Sequence, residues 1–162
     1  MVEQVLNLIG VYRPAASPPE RMKALRLTGG SPYRYHTLIL VEVPGVRAGD
    51  ELHIDADFQV TTELPYVVMV ACGVAIGEAE DGFRQPTRDR FILPRNGTNI
   101  GRSTHHYCRS RSGWWTADRD YERLYVGLCV YTASTAYKSG DALKVDTGYG
   151  SMAVAVYRKG GE

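Results

Sequence analysis

His53, Asp55 and Asp57 come nearest to a metal site in this sequence. On a strand, side chains two apart share a face, so an imidazole and two carboxylates at this spacing lie together on one side. A metal centre of that kind needs a second histidine close by, and here the middle position is a carboxylate with no such partner. The polar face of an exposed strand explains the same three residues. His105 and His106 are neighbours and point to opposite faces, so they cannot share an ion. Asp118, Asp120 and Glu122 alternate like calcium-loop ligands but lack the glycine and the distal glutamate of such a loop. A solvated turn offsetting Arg119 and Arg123 is the expectation for them. Cys108 lies on the same strand face as His106, yet no carboxylate completes a catalytic order and no Gly-x-Ser-x-Gly motif occurs. Gly148-Tyr149-Gly150 opens no helix, so it is not a phosphate-binding loop. No enzyme is expected, and no catalytic residue, cofactor or metal ligand is assigned.

The Trp114-Trp115 pair is more informative. Only one of two adjacent strand residues can face the core of its own domain; the other is exposed, covered by a loop, or buried against a partner. Eleven tyrosines add to the aromatic surface, and Tyr125, Tyr131 and Tyr157 fall on strand faces expected to point outward. Subunit packing and sugar stacking both use such rings, because each aromatic side chain buries about 150–250 Å². Trp114, Trp115, Tyr107, Tyr125 and Tyr131 are therefore the candidates for an interface or a ligand surface. Val5, Leu8 and Ile9 join them from the apolar start of the chain.

Residues 124–157 supply the scaffold for these candidates. They alternate at period two, with Leu124, Val126, Leu128 and Val130, then Leu143 and Val145, then Met152, Val154 and Val156 as the apolar set. Turn residues at Lys138-Ser139-Gly140-Asp141 and Gly148-Tyr149-Gly150 divide this stretch into three antiparallel strands forming one wall of a β core. Further strands are expected at 36–43, stopped by Pro44-Gly45, and at 51–58 with Leu52, Ile54 and Ala56 inward. The run 66–76 is apolar on both faces, as in a central strand covered on each side. Short strands follow at 90–93, ending at Pro94, and at 104–109 and 113–117 around Arg111-Ser112-Gly113, with a tight turn at Asn96-Gly97. Glu78 to Arg90 reads as a loop. Arg47-Ala48-Gly49-Asp50 is echoed 91 residues later by Lys138-Ser139-Gly140-Asp141, each before an alternating strand. Two equivalent strand sets, about eight to ten strands in all, predict an all-β, two-sheet antiparallel β-sandwich with jelly-roll-like winding.

Residues 1–32 read as an extended N-terminal arm and linker, and residues 33–162 as the sandwich domain. The first twelve residues suit a strand or a helical turn, before Arg13-Pro14 and Pro18-Pro19 interrupt them. This segment either lies on a neighbouring subunit or adds an edge strand to its own sheet. Ser17-Pro18-Pro19-Glu20 matches a helix start, and Lys23 to Thr28 reads equally well as a strand.

At 162 residues the chain can bury a core without metal or disulfide. Three cysteines show no metal-ligand spacing, and Cys72 and Cys129 read as buried apolar residues in a reducing compartment. The run 66–76 is too short to span a bilayer, and no signal-peptide pattern opens the sequence. A soluble protein made in a cytoplasm, with no membrane insertion, is expected. A net charge of +1 does not suit a general nucleic-acid binder, although nine arginines against four carboxylates between Arg84 and Arg123 make that region basic.

The run Thr104 to Trp115, followed by Leu124 to Tyr131 and the Gly140-Asp141 and Gly148-Tyr149-Gly150 turns, resembles the β-sandwich structural proteins of tailed bacteriophages. Head decoration proteins and minor capsid and minor tail proteins belong to that group. Fifteen arginines against four lysines also suit a high-GC host genome. The resemblance implies a non-enzymatic virion protein, made in the bacterial host cytoplasm, that self-associates as a homotrimer and decorates or stabilises a capsid or forms part of a tail. Its partners would be a major capsid or tail protein. A carbohydrate-binding or receptor-binding module, using Trp114 or Trp115 on a host-surface glycan, is the alternative.

Overall fold

A computed structural model describes residues 5–14, 22–26, 35–79 and 88–160. Nine described strands follow in order: β1 (Leu6–Tyr12), β2 (Met22–Arg26), β3 (His36–Val46), β4 (Glu51–Thr61), β5 (Val68–Gly77), β6 (Phe91–Ile100), β7 (Tyr107–Thr116), β8 (Tyr121–Ala133) and β9 (Ala142–Lys159). A single 3-10 turn, Arg88–Arg90, precedes β6. One sheet has the order β1-β9-β4-β7, with β2 also paired to β9; the second has the order β3-β8-β5-β6. The antiparallel pairs nest: β1 and β2 with β9, β3 with β8, β4 with β7, β5 with β6. A long hairpin of paired strands rolled around one core in this way is a jelly-roll sandwich.

Period-two alternation decides what enters that core. Leu52, Ile54, Ala56, Phe58 and Val60 of β4 are buried, as are Leu143, Val145, Met152, Val154 and Val156 of β9. Leu124, Val126, Leu128 and Val130 of β8 meet them from the opposite sheet, with Val68, Val70, Cys72 and Val74 of β5. The inward set read from 124–157 is therefore correct residue by residue, but it does not form one wall. β8 and β9 belong to different sheets, because residues 134–141 cross between them. Nor does Gly148-Tyr149-Gly150 separate two strands. β9 is one strand of 18 residues, and its ladder with β4 steps from Asp57 opposite Ser151 to Gln59 opposite Asp146. Phe58 thus faces residues 147–150 across a bulge, which takes up the extra chain without ending the strand.

Other expected breaks are also continuous strand. Arg111-Ser112-Gly113 lies inside β7 and Asn96-Gly97 inside β6, where Asn96 pairs with Cys72 and Gly97 with Ala71. Pro44 sits in β3 and Pro94 in β6. Both strands are sheet edges, where a missing N–H can face away from the ladder. The N-terminal segment adopts its strand alternative: β1 pairs with Val154–Lys159 and β2 with Ala142–Asp146, both on the chain's own sheet. The helix start considered at residues 17–20 lies outside the described residues.

At the open side of the sandwich, β6 and β7 are joined by inward-facing arginines. Arg109 Nη2 donates to Asn96 O at 3.2 Å and Asn96 Oδ1 at 3.0 Å, and Arg111 Nε donates to Pro94 O at 3.0 Å. Next to them the edges touch: a Cβ on Gly113 would stand 2.8 Å from Leu93 Cδ2.

The two echoed turns have the same build. Gly49 and Gly140 both take positive φ, 85° and 95°, a region that suits glycine. In each, the closing aspartate accepts the N–H three residues back: Arg47 N to Asp50 Oδ2 at 2.8 Å, and Lys138 N to Asp141 Oδ2 at 2.8 Å. Each aspartate then reaches outside its turn. Asp50, 2% exposed, takes a two-pronged bond from Arg158 near the end of β9, with Nε to Oδ1 and Nη2 to Oδ2 both at 2.7 Å. Asp141 accepts the hydroxyl of Tyr66, just before β5. Two of the three acids in 118–122 are likewise structural: Asp120 Oδ1 accepts Ala48 N at 2.8 Å, and Asp118 Oδ1 accepts the Tyr121 hydroxyl at 2.6 Å. Arg119 and Arg123 pair elsewhere, with Glu78 and Glu42.

The Arg158 hydrogen bond, outweighing the opposing cost of burial, holds the Asp50 carboxyl below its usual range. A folded-state value below the unfolded one gives stability that is present above the unfolded pKa and lost as pH falls through the folded one. Asp50→Asn is expected to lower the unfolding free energy by about 2–4 kcal/mol at neutral pH, since it leaves the Arg158 guanidinium without its carboxylate. It should also flatten the acid-side loss of stability below about pH 4. Urea titrations of both proteins across pH 2–7 measure the two effects.

Candidate interaction surface

The outer face of the first sheet is built by residues that alternate with its buried set. The ladders align them in cross-strand rows. Val11 of β1 stands opposite Ala155 of β9, Ala155 opposite His53 of β4, and His53 opposite Trp114 of β7. The next row runs Leu8, Tyr157, Glu51, Thr116, and on the other side Ala153, Asp55 and Ser112 align. Such cross-strand neighbours lie about 4.5–5.5 Å apart at Cβ.

Within these rows three rings form one cluster. Trp114 lies 4.7 Å from the His53 ring and 5.5 Å from Tyr157, tilted 43° to each. Trp114 remains 54% exposed. His53 therefore packs against an aromatic ring rather than joining Asp55 and Asp57 in a cluster. Among the described residues no three His, Cys, Asp or Glu side chains are grouped to hold a metal ion. Asp57 accepts Ser151 N at 2.8 Å, and Glu51 Oε2 accepts the Thr116 hydroxyl at 2.8 Å.

The opposite end of the face is aliphatic. Leu8 is 56% exposed and Val11 50%, and Val5, Leu6 and Ile9 are exposed beside them. Among the described residues β1 is the sheet edge here. Natural edge strands are commonly blunted by charge, proline or a bulge. This one has only an irregularity between Leu8 and Gly10 and no charged residue from Leu6 to Tyr12.

The remaining candidates separate from this surface. Trp115 turns inward opposite Leu52, packs against the core and lies 6.2 Å from Tyr121. Tyr107 opens β7 and is partly exposed at the strand end. Tyr125 and Tyr131 are on the outer face of the second sheet but are covered, at 8% and 3% exposure. There a second apolar cluster forms from Tyr35, Ala71, Ala75, Tyr125, Cys129 and Tyr131, with Phe91, Met69 and Leu40 packed on it. Tyr35 caps it, 5.0 Å from Phe91 and 5.8 Å from Tyr131, under the Arg95 guanidinium. The two-sided apolarity of 66–76 thus has its explanation inside the chain. Burial pushes the Cys129 thiol up to about 12, and it raises that of Cys72 against the nearby Arg109 and Arg111 charges. Cys108 is exposed and free; its sulfur meets the backbone oxygen of His106 and the Gln59 amide rather than the imidazole ring. The sequence gives no sign of β1's contribution through Val11, which aligns with Trp114 only through two intervening strands.

The two tryptophans should separate cleanly in stability. Trp115→Ala removes a ring packed on the core and is expected to cost about 3–5 kcal/mol. Trp114→Ala, on the exposed face, is expected to cost about 1 kcal/mol or less. Denaturant unfolding of the two variants, followed by far-UV circular dichroism, tests the difference.

No protein-family model matches the sequence. No curated protein matches it either. Solved structures do match in fold. A chain in the structure of infectious bursal disease virus, Gx strain, superposes with a TM-score of 0.55 at 13% identity, over 94% of this chain and 34% of that one. The VP2 subviral particle of the same virus gives a TM-score of 0.52 at 16% identity, over 94% of this chain and 33% of that one. The chain therefore spans about a third of the virus chains it matches. Likeness at this identity shows the fold: a jelly-roll sandwich of the kind found in these virus particles.

Proposed function

We propose that this chain is a non-enzymatic structural protein of a virion, a jelly-roll unit that self-associates and helps to build or stabilise a viral shell. The observation that carries the reading is the apolar β1 edge. An uncharged strand of exposed Leu6, Leu8, Ile9 and Val11 contributes little to its own core and leaves backbone groups open for pairing. An exposed apolar edge of this kind suits coverage by another chain. A fold shared with chains of a virus particle supports the same conclusion.

The finer assignment rests on the sequence resemblance. It favours a tailed-phage protein that decorates the capsid or belongs to the tail, assembled as a homotrimer against a major capsid or tail protein. On this reading β1, paired to its own sheet through β9, presents its free edge for assembly, with Val5, Leu8 and Ile9 at the contact.

Light scattering on the intact chain, on a form lacking Met1 to Ala16, and on the double variant Leu8→Lys, Val11→Lys tests the proposal. The intact chain is expected to be a trimer at micromolar concentration. Both altered forms should dissociate at least tenfold more readily while keeping the β-sheet circular dichroism signal. A monomeric intact chain, or assembly unchanged in both altered forms, would overturn the role given to β1.

A further inference from the structure

The ring cluster at the β4 and β7 end of the same face differs in chemistry from the aliphatic β1 end. We infer that Trp114, with His53 and Tyr157, forms a binding platform for an uncharged saccharide. This site is separate from the edge assigned to self-association and stands without it.

Three features support this occupant. Trp114 is half exposed and is held by two rings, at 4.7 Å and 5.5 Å, each tilted 43° to it. The indole is thus supported at a fixed inclination and offers a rigid apolar surface at little entropic cost. A sugar ring has one face of C–H groups that packs on such a surface, while its hydroxyls project from the rim. Around the cluster, the rows on either side of His53 and Trp114 carry hydrogen-bonding groups. Glu51 and Thr116 lie in one, Asp55 and Ser112 in the other, each about 7 Å along its strand from the central row. Carboxylates and hydroxyls at that reach suit the hydroxyls of a stacked hexose.

The same groups argue against a protein in this position. The centres of protein interfaces are depleted in charge, whereas β4 presents Glu51, Asp55 and Asp57 on this face. Three carboxylates also disfavour an acidic sugar. An uncharged ligand with an apolar face and a hydroxyl rim satisfies both halves of the site.

The test uses the full chain and trimers of glucose, mannose, galactose and N-acetylglucosamine, with a uronic acid trimer for comparison. Intrinsic tryptophan fluorescence and calorimetry follow each titration, and light scattering is run on the same samples. Saturable binding of at least one neutral trimer is expected, with the uronic acid trimer at least tenfold weaker. Trp114→Ala should lose binding by tenfold or more, and Asp55→Ala, which keeps the rings, should weaken it severalfold. Both variants should keep the β-sheet signal and the mass of the parent. Absence of binding to every neutral trimer overturns the inference, as does binding that survives Trp114→Ala. Loss of self-association in Trp114→Ala without any sugar binding overturns it too, and assigns the ring cluster to the subunit contact. Sugar binding by a chain that proves monomeric supports the platform and removes the self-association reading alone.

Discussion

The aspartate that closes each glycine turn is the interaction on which this sandwich depends. A jelly roll has to change sheets repeatedly, and each change exposes backbone groups that a strand ladder would otherwise pair. Asp50 resolves this at one corner by accepting the Arg47 N–H and the Arg158 guanidinium together. Because Arg158 lies near the end of β9, the turn entering β4 is tied to the strand that lies beside β4 throughout the sheet. Asp141 repeats the device where β9 begins, reaching Tyr66 just before β5. β4 and β9 run antiparallel, so the Asp50 tie joins the start of β4 to the end of β9, while the Asp141 tie joins the start of β9 to the connection between β4 and β5.

With β4 and β9 locked as neighbours, the rest of the first sheet follows. β9 is long enough to take β1 and β2 along one side while β4 occupies the other. β7 closes the far edge, where Gly113 lets Leu93 of the opposite sheet approach and Arg109 and Arg111 bond to β6. Polar closure at this edge uses neutral acceptors rather than carboxylates. That accounts for part of the arginine excess in this stretch without a polyanionic partner. On the far side of the molecule the second sheet covers its own outer face with Tyr35, Phe91 and Tyr131. The asymmetry matters for function: among the described residues, of the two outer faces the first sheet's carries Trp114, Leu8 and Val11 exposed.

Much of this was legible in the sequence. Side-chain parity along a strand follows directly from the extended backbone, so Leu52, Ile54 and Ala56 of β4 and the core-facing apolar sets of β8 and β9 could be named from alternation alone. The repeated Gly-Asp turn was visible for the same reason: a positive-φ position followed by a short acceptor is a local requirement. Parity also established that Trp114 and Trp115 must face opposite ways, and that His53, Asp55 and Asp57 share one face.

Alternation could not say which strands are neighbours, because pairing depends on contacts far apart in sequence. Asp50 and Arg158 are 108 residues apart, and no local signal links them. For the same reason the apolar residues of β8 and β9 read as one wall although they face each other across the core. Tyr125 and Tyr131 read as exposed although Tyr35 and Phe91 cover them. Pro44, Asn96-Gly97 and Arg111-Ser112-Gly113 lie within strands despite their break-forming types, since an edge strand tolerates proline and a neighbouring ladder can hold turn-forming residues extended. The sequence by itself determined the all-β class, the inward set and the existence of one outward tryptophan. Tertiary structure alone decided that this residue is Trp114: Trp115 shares its face with Leu52 over the core, and the ladder through β4 and β9 sets Trp114 in line with His53 and Val11 on the open side.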